Sequence, residues 1–207
     1  MVRRTKEAAE ETRAQILDTA EQVFHEKGVA RTSLADIAGK AGVTRGAIYW
    51  HFENKADLFQ AMCERATLPL EAMLSEIGKD DLDDPLASLR AGCVGVLRQV
   101  VEDARCRRVF EIMSHKCEFV DEMAGTMARR QGCRQDAMAL IERNLSLAVK
   151  RGQLDAGLDT HRAALGLFAY IDGLIHNGGL MPGHYSLSEN AGPLIDLFLK
   201  GLGCRSD

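Results

Sequence analysis

The sequence predicts an all-α chain: three short helices and a connecting helix, then a helical bundle, about nine helices in all. Three observations predict it. Apolar residues return at helical spacing through most of the 207 residues, 46% of which are hydrophobic. Capping residues and terminal glycines punctuate those stretches. There are only four prolines and few β-branched runs, so helix is favoured over sheet.

The first helix is expected from Thr12 to Lys27. Thr12 with Gln15 forms a capping-box pattern, and Gly28 is a stop. Ile16, Leu17, Ala20, Val23 and Phe24 make one apolar stripe. Ser33, with Asp36 following, caps a short helix to about Lys40, and Ala41-Gly42-Val43 reads as a tight turn. Thr44 caps a second short helix through Trp50. Asn54 and Asp57 start a long helix towards Ile77, which Pro69 is expected to interrupt and kink.

An acidic loop from Gly78 ends at Asp84-Pro85, a cap followed by proline at the first helical position. The helix it opens carries Leu86, Leu89, Cys93, Val96, Leu97 and Val100. A short helix follows near Arg105 to Met113. A long one runs from about Asp121 to Lys150 and ends in basic residues and glycine. Thr160 to Leu180, a Met181-Pro-Gly loop, and Ser188 to Leu202 complete the series.

Composition narrows the functions. Formal net charge is −4, and residues 1–60 are neutral, with nine basic and nine acidic side chains. Binding to nucleic acid would therefore need placed donors rather than a bulk positive field. No leader or membrane-length run is visible, so a cytoplasmic location is expected. Six scattered cysteines with no C-x-x-C read as free thiols. No nucleotide, protease or esterase motif is present, and no enzyme activity, cofactor or metal is expected.

The informative stretch is Ser33 to Phe52: two very short helices about a glycine turn, with Val43 and Ile48 placed to hold the second on the first. This is the logic of a helix-turn-helix, whose second helix enters the major groove of double-stranded DNA. Ser33, Thr44, Arg45, Gly46, Tyr49, His51 and Lys55 are the expected DNA contacts. Arg45 suits bidentate reading of guanine, and Gly46 allows close approach. Tyr49, His51 and Lys55 offer donors to phosphates. Phe52 reads as core, and Trp50 is open to the same reading. Arg3, Arg4 and Lys6 suit either a minor-groove arm or a solvated end.

Thr12 to Leu17, Ser33 to Ala41 and Val43 to Phe52 with Asn54-Lys55 resemble the TetR family of transcriptional repressors. His115 to Phe119, Arg151 to Leu154 and Phe168 to Ile175 are similar to its TtgR-like and AcrR-like branch, regulators of multidrug efflux pumps. The resemblance implies a helix-turn-helix domain over 1–53 and a ligand-binding and dimerisation domain over 54–207. It implies a homodimer on a pseudo-palindromic operator, released by a lipophilic, drug- or flavonoid-like inducer. A cysteine-based redox regulator and a repressor of a metabolic operon are the alternatives.

For the sensing part, Asp172 shares a helix face with Phe168 and Ile175, and is expected to be a buried carboxylate needing a partner. His176 follows one turn on. By resemblance, Leu89, Cys93, Val96, Ala137, Ile141 and Ile171 join Phe168 and Ile175 around an apolar cavity, with Phe110 and Ser114 in the same pocket. Each reads singly as ordinary core. Leu194, Leu197, Phe198 and Gly201 form the expected dimer stripe. Cys106 is the candidate reactive thiol, because arginines flank it on both sides.

Overall fold

The computed structural model describes residues 2–77, 83–117, 124–180 and 186–203. Among these it has nine helices and no strand: α1 (Val2–Lys27), α2 (Leu34–Ala41), α3 (Arg45–His51), α4 (Lys55–Ile77), α5 (Pro85–Glu102), α6 (Ala104–His115), α7 (Ala124–Lys150), α8 (Thr160–Leu180) and α9 (Leu187–Gly201). None of the helices is long and apolar enough to cross a membrane, among the described residues. The chain forms two compact units. The first holds residues 1–67 and 108–128, the second 68–107 and 129–207. Compactness thus divides the chain differently from the expected boundary after Glu53, because α4 as far as Thr67 and α6 from Arg108 belong to the first unit.

In the first unit, the α1 stripe packs against Ile37, Ala38 and Ile48 of the two short helices. Leu58, Phe59 and Met62 of α4 and Val109 and Ile112 of α6 close the core. Phe24 meets Phe59 edge-on, with ring centroids 5.6 Å apart. Phe52 is buried with them, as its pattern implied. The Thr12 start is corrected. α1 is already helical at Val2, and the Thr12 hydroxyl donates back to the Ala8 carbonyl at 2.9 Å. A hydroxyl bonded to the preceding turn is a mid-helix serine/threonine habit, and no cap results. Gln15 instead reaches across to α2. The side chains of Arg3 and Arg4 lie outside the described residues.

Pro69 does not interrupt α4, whose helix is continuous from Lys55 to Ile77. In the second unit, α5 packs along α9, and α8 packs against both. The core gathers Leu89, Leu97, Ile141, Leu145, Leu167 and Ile195. Asp84 caps α5 by accepting from the Ala87 N–H at 2.8 Å, with Pro85 at the first position. Gln153 Nε2 also donates to Asp84, at 2.7 Å. Arg90 and Asp196 form a two-pronged pair at 2.5 and 2.9 Å between α5 and α9. The last helix starts one cap earlier than expected: Ser186 caps α9, and Ser188 donates to Glu102 at 2.6 Å. The expected helix start at Asp121, the Gly78 loop, the Met181 loop and Cys204 lie wholly or largely outside the described residues.

Candidate functional site

Two capping interactions and one glycine build the α2–α3 pair. The Ser33 hydroxyl accepts from the Asp36 N–H at 3.2 Å, and Asp36 Oδ2 accepts from the Ser33 N–H at 2.9 Å. The Ser33 hydroxyl, its N–H and nearby Lys27 hold the Asp36 carboxyl down at about 2. Gly42 ends α2 at φ 67°, the left-handed region that glycine enters most cheaply. Thr44 then caps α3 by accepting from the Ala47 N–H at 3.1 Å. Ser33, Thr44 and Gly46 are exposed around this turn.

Ile48 is fully buried and pins α3 to the core. One helical face being pinned, the opposite face must point outward. Trp50, nearly opposite Ile48, is 73% exposed, Tyr49 is 53% exposed, and Arg45 is exposed at the start of the helix. A Cβ on Gly46 would meet only the Thr44 hydroxyl, at 3.8 Å, so internal packing does not require glycine there. His51 is half-buried, and its ring lies edge-on to Trp50 at 4.5 Å. Burial, then the charge of Arg13, pushes the His51 imidazole below its ordinary value. Lys55 is half-buried at the start of α4, where Asn54 accepts from the Asp57 N–H at 2.9 Å.

Of the seven expected contact residues, Ser33, Thr44, Arg45, Gly46 and Tyr49 are exposed and His51 and Lys55 are half-buried, and Trp50 beside them is exposed as well. The sequence pattern leaves Trp50 open to a core role. The signal was available in the helical spacing, because a residue two positions from a buried Ile48 falls on the far side of the helix.

The expected effector residues divide. Leu89, Cys93 and Ile141 are buried in the second unit's core, and Phe168, Ile171 and Ile175 pack half-buried against it. Val96 and Ala137 are half-buried. Phe110 instead packs on the core of the first unit, and Ser114 is exposed. The reason is that α6 spends its apolar face, Val109, Ile112 and Met113, on α1 and α4.

Asp172 is not buried. It is 52% exposed and pairs with Arg134 at 3.2 Å. The buried face of α8 is Ala163, Ala164 and Leu167, and Asp172 falls off that face, as does exposed His176. Arg134, which sequence reading missed, also lies over the Phe168 ring at 4.9 Å. The polar side chain that is buried in this unit's core helices is Asn144, whose Nδ2 donates to the Leu140 carbonyl at 2.9 Å. A cleft of about 550 Å³ lies along α7, lined by Glu71, Leu74, Arg129, Cys133, Asp136 and Ala137 among others. The cleft is largely open to solvent, and Ala137 is its one member from the expected pocket.

Cys106 is buried, and burial pushes its thiol up to about 12, with Asp103 adding to the effect. The flanking arginines therefore do not produce the lowered thiol expected of them. On the C-terminal helices, Leu197 is 69% exposed, with Leu165 and Gly201 also exposed. Leu194 and Phe198 are half-buried. Phe198 stacks on Tyr170 at 5.5 Å, and the Tyr170 hydroxyl donates to the Leu194 carbonyl at 3.3 Å.

Residues 16–62 match the family profile of bacterial regulatory proteins of the tetR family, and residues 84–204 match that of the C-terminal region of MAATS-type transcriptional repressors. The chain is 47% identical over 196 residues to the HTH-type transcriptional regulator TtgR of Pseudomonas putida, covering 95% of this chain and 93% of TtgR. It resembles the crystal structure of NalD, the secondary repressor of the MexAB-OprM multidrug efflux pump in Pseudomonas aeruginosa. That match has a TM-score of 0.86 and 35% identity, over 95% of this chain and 98% of NalD. SmeT of Stenotrophomonas maltophilia in complex with triclosan matches with a TM-score of 0.82 and 37% identity, over 92% and 91% of the two chains.

Proposed function

The chain belongs to the tetR family of bacterial transcriptional regulators, and on that premise we propose that it is a ligand-responsive repressor of a multidrug efflux operon. The reading rests chiefly on α3, where buried Ile48 fixes a helix whose Arg45, Tyr49 and Trp50 remain outward. Arg45 reads base edges, and Tyr49, Trp50, His51 and Lys55 engage the backbone beside them. Thr44 and Gly46 let the helix start approach the groove. Ser33 holds the start of α2.

In this reading, residues 1–53 read the operator and residues 54–207 sense the effector and form the homodimer. Two copies present two α3 helices to successive major grooves of a pseudo-palindromic site. The efflux assignment draws on the similarity to TtgR, NalD and SmeT. The inducer is a lipophilic, aromatic compound held among the apolar residues from Leu89 to Ile175, and triclosan is the first to try, because SmeT binds it. Asp172 and His176 act at the rim of that site rather than as buried anchors. The protein acts in the cytoplasm, without membrane attachment.

The experiment is retention of a labelled duplex from upstream of the protein's own gene, with and without triclosan. Wild type is expected to bind it and to release it on adding triclosan. Arg45→Ala is expected to lose about 1–3 kcal/mol of discrimination against random duplex. Equal affinity for random DNA would refute operator reading. Operator binding with no response or calorimetric signal to triclosan or to flavonoids would refute the efflux-type inducer.

A further inference from the structure

Glu21 on α1 is the only buried charged side chain among the described residues, 2% exposed. Its Oε1 accepts from Arg108 Nε at 2.6 Å, and its Oε2 lies 3.7 Å from Arg65 Nη2. The two arginines have a particular place in the chain. Arg65 lies just before the chain leaves the first unit after Thr67, and Arg108 is where it returns. Glu21 therefore stands between the exit along α4 and the re-entry along α6.

Arg65 is incompletely satisfied. Its Nη2 donates to Asp18 at 2.8 Å and its Nη1 to the Ala14 carbonyl at 3.5 Å. Its Nε is buried with no hydrogen-bond partner. A buried N–H without an acceptor is unfavourable. Nε and Nη2 form one edge of the guanidinium, the edge that receives a carboxylate two-pronged. Glu21 is the carboxylate already facing that edge, one short movement away. A two-pronged hold on that edge would engage both carboxylate oxygens, including the Oε1 now bonded to Arg108, so the two arginines compete for it.

We propose that Glu21 is a two-position latch, bound to Arg108 in one state and closed on the Nε–Nη2 edge of Arg65 in the other. Glu21 is a positioning residue for α3. It rides on α1, whose Leu17 and Phe24 share a core with Ile37 and Ile48, and whose Gln15 holds the end of α2. Exchange pivots α6 without detaching it. Its far end and the residue after it stay tied to α1 and the loop that follows α1, through His25–Glu111 at 2.9 Å, Lys116 to the His25 carbonyl at 2.5 Å, and the Val29 N–H to the Lys116 carbonyl at 2.9 Å. The inference rests on the chain's being an operator-binding regulator, and gives that regulator a switchable contact.

The test is operator affinity, by fluorescence anisotropy on the upstream duplex, for Arg108→Ala and Arg65→Ala. Removing Arg108 drives Glu21 onto Arg65, and removing Arg65 leaves it on Arg108. The two variants are expected to shift Kd in opposite directions, each by about three- to tenfold, the scale on which single residues alter coupling. In a Glu21→Gln background both shifts are expected to vanish. Arg108→Lys and Arg65→Lys, which keep the charge and lose the fork, repeat the comparison if an alanine variant fails to fold. Shifts in the same direction, shifts below about twofold, or unfolding of the lysine variants as well would make Glu21 a static brace and overturn the latch. A folded wild type with no affinity for the duplex would overturn the operator reading itself, a result distinct from these.

Discussion

Gln15 of α1 donates from its side-chain amide to the carbonyl of Ala41, the last residue of α2, at 2.8 Å. The bond crosses from the scaffold helix to the turn that carries α3. It satisfies a carbonyl that a helix end leaves without an intrahelical partner. Gln15→Ala is expected to cost about 0.5–1.5 kcal/mol, the net worth of such a bond. Chemical denaturation checks this, and operator affinity should fall with it.

Gly42 occupies φ 67°, and a Cβ there would meet nothing within 4 Å. The cost of a side chain is thus purely one of backbone conformation. Gly42→Ala is expected to destabilise by about 1–2 kcal/mol, the penalty for an L-residue in the left-handed region. Asparagine, which tolerates that region better, should recover part of the loss. A denaturation series over the three residues reads the order directly.

The Asp36 carboxyl is held at about 2, down from an ordinary 3.8. A depressed acid contributes stability that is fully present above the ordinary value and lost as pH falls through the folded one. Wild type should therefore lose stability between about pH 4 and pH 2 partly through Asp36. Asp36→Asn should be less stable at neutral pH and show a shallower acid limb. Melting temperature against pH for both proteins tests the sign.

Trp50 is 73% exposed, so truncating it removes little core. Trp50→Ala is expected to leave the melting temperature within a few degrees and to weaken operator binding about 5- to 50-fold, within the range for a truncated aromatic hot spot. Ile48→Ala, fully buried, should do the reverse: lose about 2–5 kcal/mol of stability, with DNA binding failing through unfolding. Parallel melts and anisotropy separate the two effects.

Leu197 is 69% exposed on α9, beside Phe198. The fold of a single chain does not need it, and a dimer would. Leu197→Glu is expected to leave helicity unchanged and to yield a monomer in sedimentation at micromolar concentration. A dimer persisting in Leu197→Glu and in Leu197→Glu/Leu165→Glu would place the interface elsewhere.

Much of the helical framework was legible because its determinants are local. Ser33 with Asp36, Thr44, Asp84-Pro85 and Gly42 signal starts and stops through bonds spanning only a few residues. Thr160–Leu180 was read to the residue, and α9 to within one cap. Thr12 misled because a hydroxyl that caps in one setting bonds back to Ala8 in another, and only the continuation of α1 to Val2 distinguishes them. Pro69 misled because a helix can lose one N–H and stay a helix.

The sequence by itself determined the reading helix's caps, its glycine turn and its buried Ile48, while the outward side of Trp50 came only with the fold. The caps and the turn depend on neighbours within a turn or two. Tertiary structure alone decided which polar groups are paired between helices. Asp172 looked like a buried anchor until α7 brought Arg134 to it from 38 residues away. Cys106 looked activated by its flanking arginines until burial raised its thiol. Glu21, one acidic residue in a helix rich in them, became the meeting point of α4 and α6. Periodicity fixes a face; desolvation and long-range partners fix what a charge on that face can do.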